Sequence, residues 1–453
     1  MSFPRYPKYK DSGVEWLGQV PEHWGVDRIK RSTASCQNGI WGDDAKQDEN
    51  DIPCVRVADF DRQRLRVELI EPTIRNITEK ERRGRVLKEG DLLLEKSGGG
   101  ENQPVGCVVL YDDPRPAVCS NFVARVKVAT DMNASFWRYL HTAAYSVRLN
   151  TRSIKQTSGI QNLDASQYFD ERAGFPPLPE QNAIASFLDQ ETAKIDALVA
   201  EQQRLIELLK EKRQAVTSHA VTKGLNPKAP MKPSGIDWLG DVPEHWEIRR
   251  VKTVSTFTTS GPRGWSERIS ETGHLFIQSG DLNDSLEIKF EEAKRVQVED
   301  DAEASRTRLS DGDVVVCITG AKTGNVAVCS TVPELAYVNQ HLCLIRPNEA
   351  ILPAFLGALL KSKIGQTYFE LSQYGLKQGL SLENVKEAPV IVPPITEQKT
   401  IAKFLDVETA KFETLTNEAQ RAIDLLQERR TALISAAVTG QIDVRPLTGK
   451  KSV

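Results

Sequence analysis

The sequence predicts an α+β protein: two globular α/β domains joined by two long antiparallel coiled-coil helices, with an internal pseudo-twofold repeat. Three observations predict it. Residues 12–24 read SGVEWLGQVPEHW and residues 234–246 read SGIDWLGDVPEHW, identical at ten of thirteen positions. Residues 176–213 (PPLPEQNAIASFLDQETAKIDALVAEQQRLIELLKEKR) return as residues 393–430 (PPITEQKTIAKFLDVETAKFETLTNEAQRAIDLLQERR). Beyond Pro179 and Pro394, neither of these segments holds a proline or glycine for about 40 residues. A short motif, a variable region and a long segment therefore occur twice in the same order, as a tandem structural repeat requires.

The elements follow from local chemistry. Residues 1–175 form a strap and a first domain, and residues 176–222 a central helix. Residues 223–392 hold a linker, the repeated strap and a second domain, and residues 393–453 the second helix and a tail. Pro-Pro before each helix is tolerated only at or ahead of the first turn. Thr396 is the expected N-cap of the second, with acidic Glu397 just inside. At 1.5 Å per residue each helix is roughly 60 Å long. A seven-residue pattern runs through Leu188, Ile195, Gln202, Leu209 and Val216, with an interleaved set at Glu191, Leu198, Leu205, Lys212 and His219. The second helix repeats it at Leu405, Phe412, Ala419, Leu426 and Leu433, which argues for a coiled-coil pair.

The two variable regions share a faint skeleton. Gly90-Asp91-Leu92-Leu93-Leu94 matches Gly312-Asp313-Val314-Val315-Val316, a turn entering a buried strand. A Gly-rich loop follows each: Ser97-Gly98-Gly99-Gly100 and Thr319-Gly320-Ala321-Lys322-Thr323-Gly324. Asn121 and Asn339 then fall at matching places in the β-rich stretch that follows. Late in each region lies a polar, glycine-bearing segment, residues 158–163 and 374–380.

Composition narrows the function classes. The 453 residues are 40% hydrophobic and 27% charged, ordinary for a globular protein, and no apolar run is long enough to span a bilayer. Seven scattered cysteines without a CxxC pair suggest neither a zinc site nor a disulfide framework, and a reduced, cytoplasmic setting is expected. The formal net charge of −3 runs against the basic excess usual for nucleic-acid binding. Basic groups are clustered, however, at Arg28, Lys30 and Arg31 and at Arg249, Arg250 and Lys252. His23 and His245 could be read as catalytic, but no nucleophile or acidic partner recurs beside them. The strap reads better as a docking element whose tryptophans bury large area. The loop at 319–324 lacks the spacing of a phosphate-binding loop, and no hydrolase, zinc-protease, dinucleotide, adenine-methylation or nuclease motif occurs. A binding protein without catalysis is the expectation.

The WLG-x-VPEHW straps, the two PP-(L/I)-x-EQ-x-x-IA-x-FLD-x-ETAK helices and their EK-R or ER-R ends resemble the specificity subunit of type I restriction–modification systems, over essentially the whole chain. The resemblance implies that the variable regions are target-recognition domains for double-stranded DNA and that the helices space them. It further implies two modification subunits as partners, which methylate adenine with S-adenosylmethionine, and leaves room for restriction subunits driven by ATP and Mg²⁺. None of these cofactors is expected to bind this chain, and no membrane partner is expected.

Base reading favours Arg or Lys for guanine and Asn or Gln for adenine, and phosphates are met by Lys, Arg and glycine-loop amides. The candidates in the first domain are Lys96, Asn102, Gln103, Arg152, Lys155, Gln156, Gln161 and Asn162. In the second they are Arg263, Trp265, Gln278, Lys322, Thr323, Gln340, His341, Lys377 and Gln378. Outward polar faces carrying Gln181, Glu191 and Lys194, and Gln398, Glu408 and Lys411, are candidates for contact with modification subunits. Two other classes stay open: a non-catalytic coiled-coil scaffold for protein partners, and a two-site enzyme such as a nuclease.

Overall fold

The computed structural model describes residues 3–156, 159–373 and 379–447. The chain divides into two units, Met1–Gln202 with Arg421–Val453, and Gln203–Gln420. Both long helices, Leu178–Lys223 and Ile395–Val438, cross that division, so each unit holds a part of both.

The first unit is built on a six-stranded sheet, in the order Thr33–Asn38, Val123–Val128, Asp91–Glu95, Val108–Tyr111, Arg66–Val67, Phe60–Asp61. Asp91–Glu95 is central and buried along its whole length, which is why the sequence there is a continuous apolar run rather than an alternating one. Leu92 pairs with Leu110 on one side and Val126 on the other. A second sheet orders Val118–Cys119, Asp51–Val55, Thr73–Asn76 and Asp43–Asp44, its first pair parallel. The helix Ala134–Ser146, capped by Asn133 accepting from the Phe136 amide, buries Phe136, Trp137 and Leu140.

The second unit repeats this frame. One sheet orders Ser255–Ser260, Leu342–Pro347, Val314–Cys317 and Val326–Val328; the other orders Ile269–Ser270, Lys294–Val296, His274–Ile277 and Ala336–Val338, its last pair parallel. The repeated Gly-Asp now has a reason. Asp91 accepts from Arg125 Nε at 2.7 Å, and Asp313 from Arg346 Nε at 2.8 Å, so in each unit one buried carboxylate ties the central strand to its neighbour. The structure moves one sequence match by a residue. The Ser120 amide donates to Val55 O and the Asn339 amide to Ile277 O, so Asn339 corresponds to Ser120 and Asn121 to Gln340.

The strap is a two-stranded ribbon in both units, Tyr9–Asp11 with Gln19–Pro21 and Met231–Pro233 with Asp241–Pro243. It latches onto the glutamate at the start of each helix. Glu180 accepts from Trp24 Nε1 at 2.9 Å and Tyr6 Oη at 2.5 Å, and lies 2.8 Å from His23 Nε2. Glu397 accepts from Trp246 Nε1 at 3.0 Å and lies 2.6 Å from His245 Nε2. Trp24 and Trp246 are fully buried.

Within each unit the helix segments run antiparallel. In the first, Asp196 pairs with Arg430 at 3.0 Å, and Gly440, just past the second helix, lies against Pro21 and Trp24 at the start of the first. In the second, Arg213 lies 3.7 Å from Glu413, and Gly224, just past the first helix, lies against Trp246, which is bonded to Glu397 at the start of the second. Two sequence expectations are corrected. The second helix already includes Ile395, so Thr396 is inside it and not its N-cap; the Glu397 amide donates to Pro394 O instead. The seam's second row is Thr192, Val199, Ile206, Arg213 and Ala220, none of them exposed, whereas Leu198, Leu205, Lys212 and His219 are exposed. The packed stripe takes positions i and i+4, not i and i+3, and leucines are left on the outer surface.

Candidate nucleic-acid interface

In the first unit a three-stranded sheet, Ser97–Gly98, Gln161–Leu163 and Ile154–Gln156, gathers residues distant in sequence. It places Ser97 opposite Asn162, and Lys155 and Gln156 opposite Asn162 and Gln161. Ser97 Oγ donates to Asn162 Oδ1 at 2.6 Å, Lys96 Nζ to Asn38 Oδ1 at 2.7 Å, and Lys155 Nζ to Asp164 at 2.8 Å. Asn102, Gln103 and Gln156 are exposed, and exposed Arg152 lies 3.6 Å from Glu15. Gln161 is different: it is buried, and its Oε1 accepts from the Val105 amide, so it braces the loop instead of facing outward.

Sequence reading missed three residues on this surface. Asn38 holds Lys96. Phe122, whose carbonyl accepts from the Lys96 and Ser97 amides, presents a half-exposed ring beside them. Arg62 reaches Gln103. The only signal for Phe122 was its place after Asn121 in the matched stretch; Asn38 and Arg62 carried none.

The second unit assembles the matching surface from the loop after Cys317. Thr319 bridges Gly379, the Leu380 amide donates to Ile318 O, and the Ile318 amide donates to His341 O. Lys96 in the first unit makes the same two backbone bonds, with Leu163 and Phe122, so the loops correspond. Thr319 Oγ1 lies 2.5 Å from His341 Nδ1, and Gln340 Nε2 lies 3.2 Å from His341 Nε2. Lys322 Nζ donates to Gly280 O at 3.3 Å, Thr323 Oγ1 to Gly320 O at 2.7 Å, and the Gln278 amide to Asp281 at 2.7 Å. A cavity of about 440 Å³ beside this loop is lined by Lys289, Lys322, Lys361, Thr323 and Gln366. Arg263 is exposed. Trp265 is corrected: it is fully buried against Phe276 and Tyr337 and donates to Glu303 at 3.2 Å, so it belongs to the core. Lys377 and Gln378 lie outside the described residues.

Two glycines hold these surfaces in register. A Cβ on Gly39 would stand 2.1 Å from Cys119 O, and one on Gly261 2.0 Å from Val338 O. Only glycine lets those backbones pass so closely.

Residues 243–423 match the family model described as Type I restriction modification DNA specificity domain. The EcoBI type I restriction enzyme specificity subunit of Escherichia coli is 25% identical over 72% of this chain and 70% of its own length. The EcoKI specificity subunit of Escherichia coli strain K12 is 23% identical over 64% of this chain and 62% of its own length. The chain is thus similar, in its second unit and over most of its length, to type I specificity subunits. A chain from a solved structure of the type I R-M system, described for its complex assembly and conformational transition, shares the fold with a TM-score of 0.65 at 17% identity, covering 92% of this chain and 98% of that one.

The helix candidates divide into two kinds. Gln181 and Gln398 are corrected: both are buried. Gln181 bonds Pro176 O and the Asn133 amide, and Gln398 bonds Pro393 O, Ala350 O and the Leu352 amide. They fasten the helix start to its own domain and cannot meet a partner. Glu191–Lys194 and Glu408–Lys411 are ion pairs of 2.6 Å along the helix surface, with both lysines exposed. Among the described residues no helix is long and apolar enough to cross a membrane.

Proposed function

We propose that this chain is the DNA-specificity subunit of a type I restriction–modification complex, in which each unit reads one half of a bipartite, asymmetric DNA site. The observation that carries this is the duplicated frame with unlike side chains on matching loops. Lys96, Ser97, Asn121 and Phe122 of one unit correspond to Ile318, Thr319, Gln340 and His341 of the other. One scaffold presenting two hydrogen-bonding patterns is what two different half-sites require. The exposed Lys and Arg groups around these loops supply phosphate contacts, which position without specifying. The helices space the halves and, through outer faces bearing Lys194 and Lys411, dock two modification subunits. Adenine methylation takes place in those subunits with S-adenosylmethionine, and this chain contributes recognition without catalysis. Restriction subunits using ATP and Mg²⁺ complete the assembly where the system cleaves. The setting is the cytoplasm.

The test is to co-express the chain with its cognate modification subunit and map N6-methyladenine across the host genome against a control lacking the chain. A new methylated motif of two short half-sites separated by a fixed spacer is expected. A stable complex with an active methylation subunit and no new motif overturns the proposal in favour of a protein scaffold.

A further inference from the structure

Behind the Gly-rich turn of the first unit, a chain of side chains decides what Gln103 can offer a base. Glu95, at the end of the central strand, is 1% exposed and accepts from Arg62 Nη2 at 2.9 Å. The other face of that guanidinium meets Gln103, with Arg62 Nε 2.6 Å and Nη1 3.2 Å from the amide oxygen. The amide has one sensible orientation. A guanidinium only donates, so the Gln103 oxygen must face Arg62 and its NH₂ must face away.

The backbone carrying Gln103 is pinned on both sides. The Gly100 amide donates to Gln103 O at 3.0 Å. Beyond it, Pro104 O accepts from Tyr145 Oη at 2.7 Å and Val105 O from Asn150 Nδ2 at 2.6 Å. The side chain is exposed on the surface described above, so it is both presented and held.

We infer that Arg62, anchored by Glu95, is a positioning residue that makes Gln103 a donor-only reader of an acceptor edge in the first half-site. A free glutamine reads adenine with both ends, its oxygen accepting from N6 and its nitrogen donating to N7. Here two N–H groups occupy the oxygen, and only the NH₂ is left for DNA. The major-groove edge it fits best is guanine, which offers two adjacent acceptors, N7 and O6; adenine and thymine offer one each, at N7 beside a donor and at O4 beside a methyl group, and cytosine offers only a donor. The device is confined to the first unit, because Cys317 stands where Glu95 stands: Glu95 pairs with Val123 and Cys317 with Leu342 at the same place on the adjacent strand.

This inference rests on the specificity-subunit reading, and the experiment separates the two. The complete complex with its modification subunit is prepared with wild-type chain, Gln103→Ala, Arg62→Met and Arg62→Lys, and each methylated motif is mapped. The wild type is expected to require a guanine at one position of one half-site. Gln103→Ala should relax that position alone, lowering discrimination on the order of tenfold or more. Arg62→Met frees the amide oxygen and should let adenine share the same position. Arg62→Lys retains a charge for Glu95 but cannot span both partners, so it should relax the position in the same direction even if Arg62→Met fails to fold. The other half-site, unchanged in every variant, reports that the protein remains intact. A two-part wild-type motif that survives Gln103→Ala without change, or an Arg62 variant that relaxes a different position from Gln103→Ala, overturns the inference while leaving the specificity reading standing. Absence of any wild-type motif overturns both.

Discussion

His141 sits fully buried in the helix Ala134–Ser146, with Nδ1 2.8 Å from Tyr168 Oη, and burial alone pushes its pKa down to about 4. An unfolded histidine titrates near 6.5, so between roughly pH 6.5 and 4 the unfolded chain binds a proton that the native first unit refuses. Stability therefore falls as pH is lowered through that window, by up to about 1.4 kcal/mol per pH unit, with no further loss from this group below it. Thermal unfolding at pH 7, 6 and 5 should show this slope, and His141→Gln, which can still accept from Tyr168, should flatten it. An equally steep slope in the variant would place the acid sensitivity elsewhere. The second unit has buried Leu360 at the matching helix position and lacks this liability. A second contrast separates the two latches. The Glu180 side chain is 6% exposed and the Glu397 side chain 41%. Glu180→Ala leaves the Trp24 and Tyr6 donors buried and unpaired and should cost about 2–4 kcal/mol, whereas Glu397→Ala, with water at hand, should cost about 1 kcal/mol. Urea unfolding of the two variants ranks them, and equal costs would mean that the exposure of the carboxylate does not matter.

The seam of the long helices shows where sequence periodicity runs out. Seven-residue spacing was legible in Leu188, Ile195 and Leu209 and again in Leu405, Phe412 and Ala419, all buried. The second row was not, because leucines occupy both possible rows: Leu198 and Leu205 compete with Val199 and Ile206, and composition does not choose between them. Packing chooses the second of these rows, and beside it lie Asp196 and Arg430, whose side chains are 15% and 11% exposed and 3.0 Å apart. Charge at the seam is a costly choice unless it is paired. Asp196→Arg should therefore destabilise the first unit by about 3 kcal/mol, and Asp196→Arg with Arg430→Asp should recover most of that loss in a double-mutant cycle. Additive costs would show that the pair does not couple the two helices. The same limit on sequence reading applies to the interface. Lys96, Asn162 and Gln103 were candidates by residue type and loop position, whereas Arg62 and Asn38 contact partners 41 and 58 positions away in the chain. Gln161, Gln181, Gln398 and Trp265 were misread because the polar or aromatic types suited to DNA or a partner also satisfy buried backbone groups or fill a core.

At the scale of the whole molecule, the repeat is what made the architecture readable: two copies of strap, sheets and helix start, each closed by the same Trp–Glu latch. The repeat also isolates the long helices as the shared elements, since Leu178–Lys223 and Ile395–Val438 both cross from one unit to the other. If they act as the ruler between half-sites, their length and the half-site letters must be separable. Inserting seven residues into each helix at the division, after Gln202 and after Gln420, adds two turns and roughly 10 Å. The seam keeps its phase to within about 20°, so every contact inside either unit is retained. Methylome mapping of the lengthened protein with its modification subunit should return both half-sequences unchanged and a spacer longer by up to about three base pairs. A change in either half-sequence with the spacer constant would mean that the helices shape the reading surfaces themselves, and the ruler would have to be sought in the DNA's own deformability.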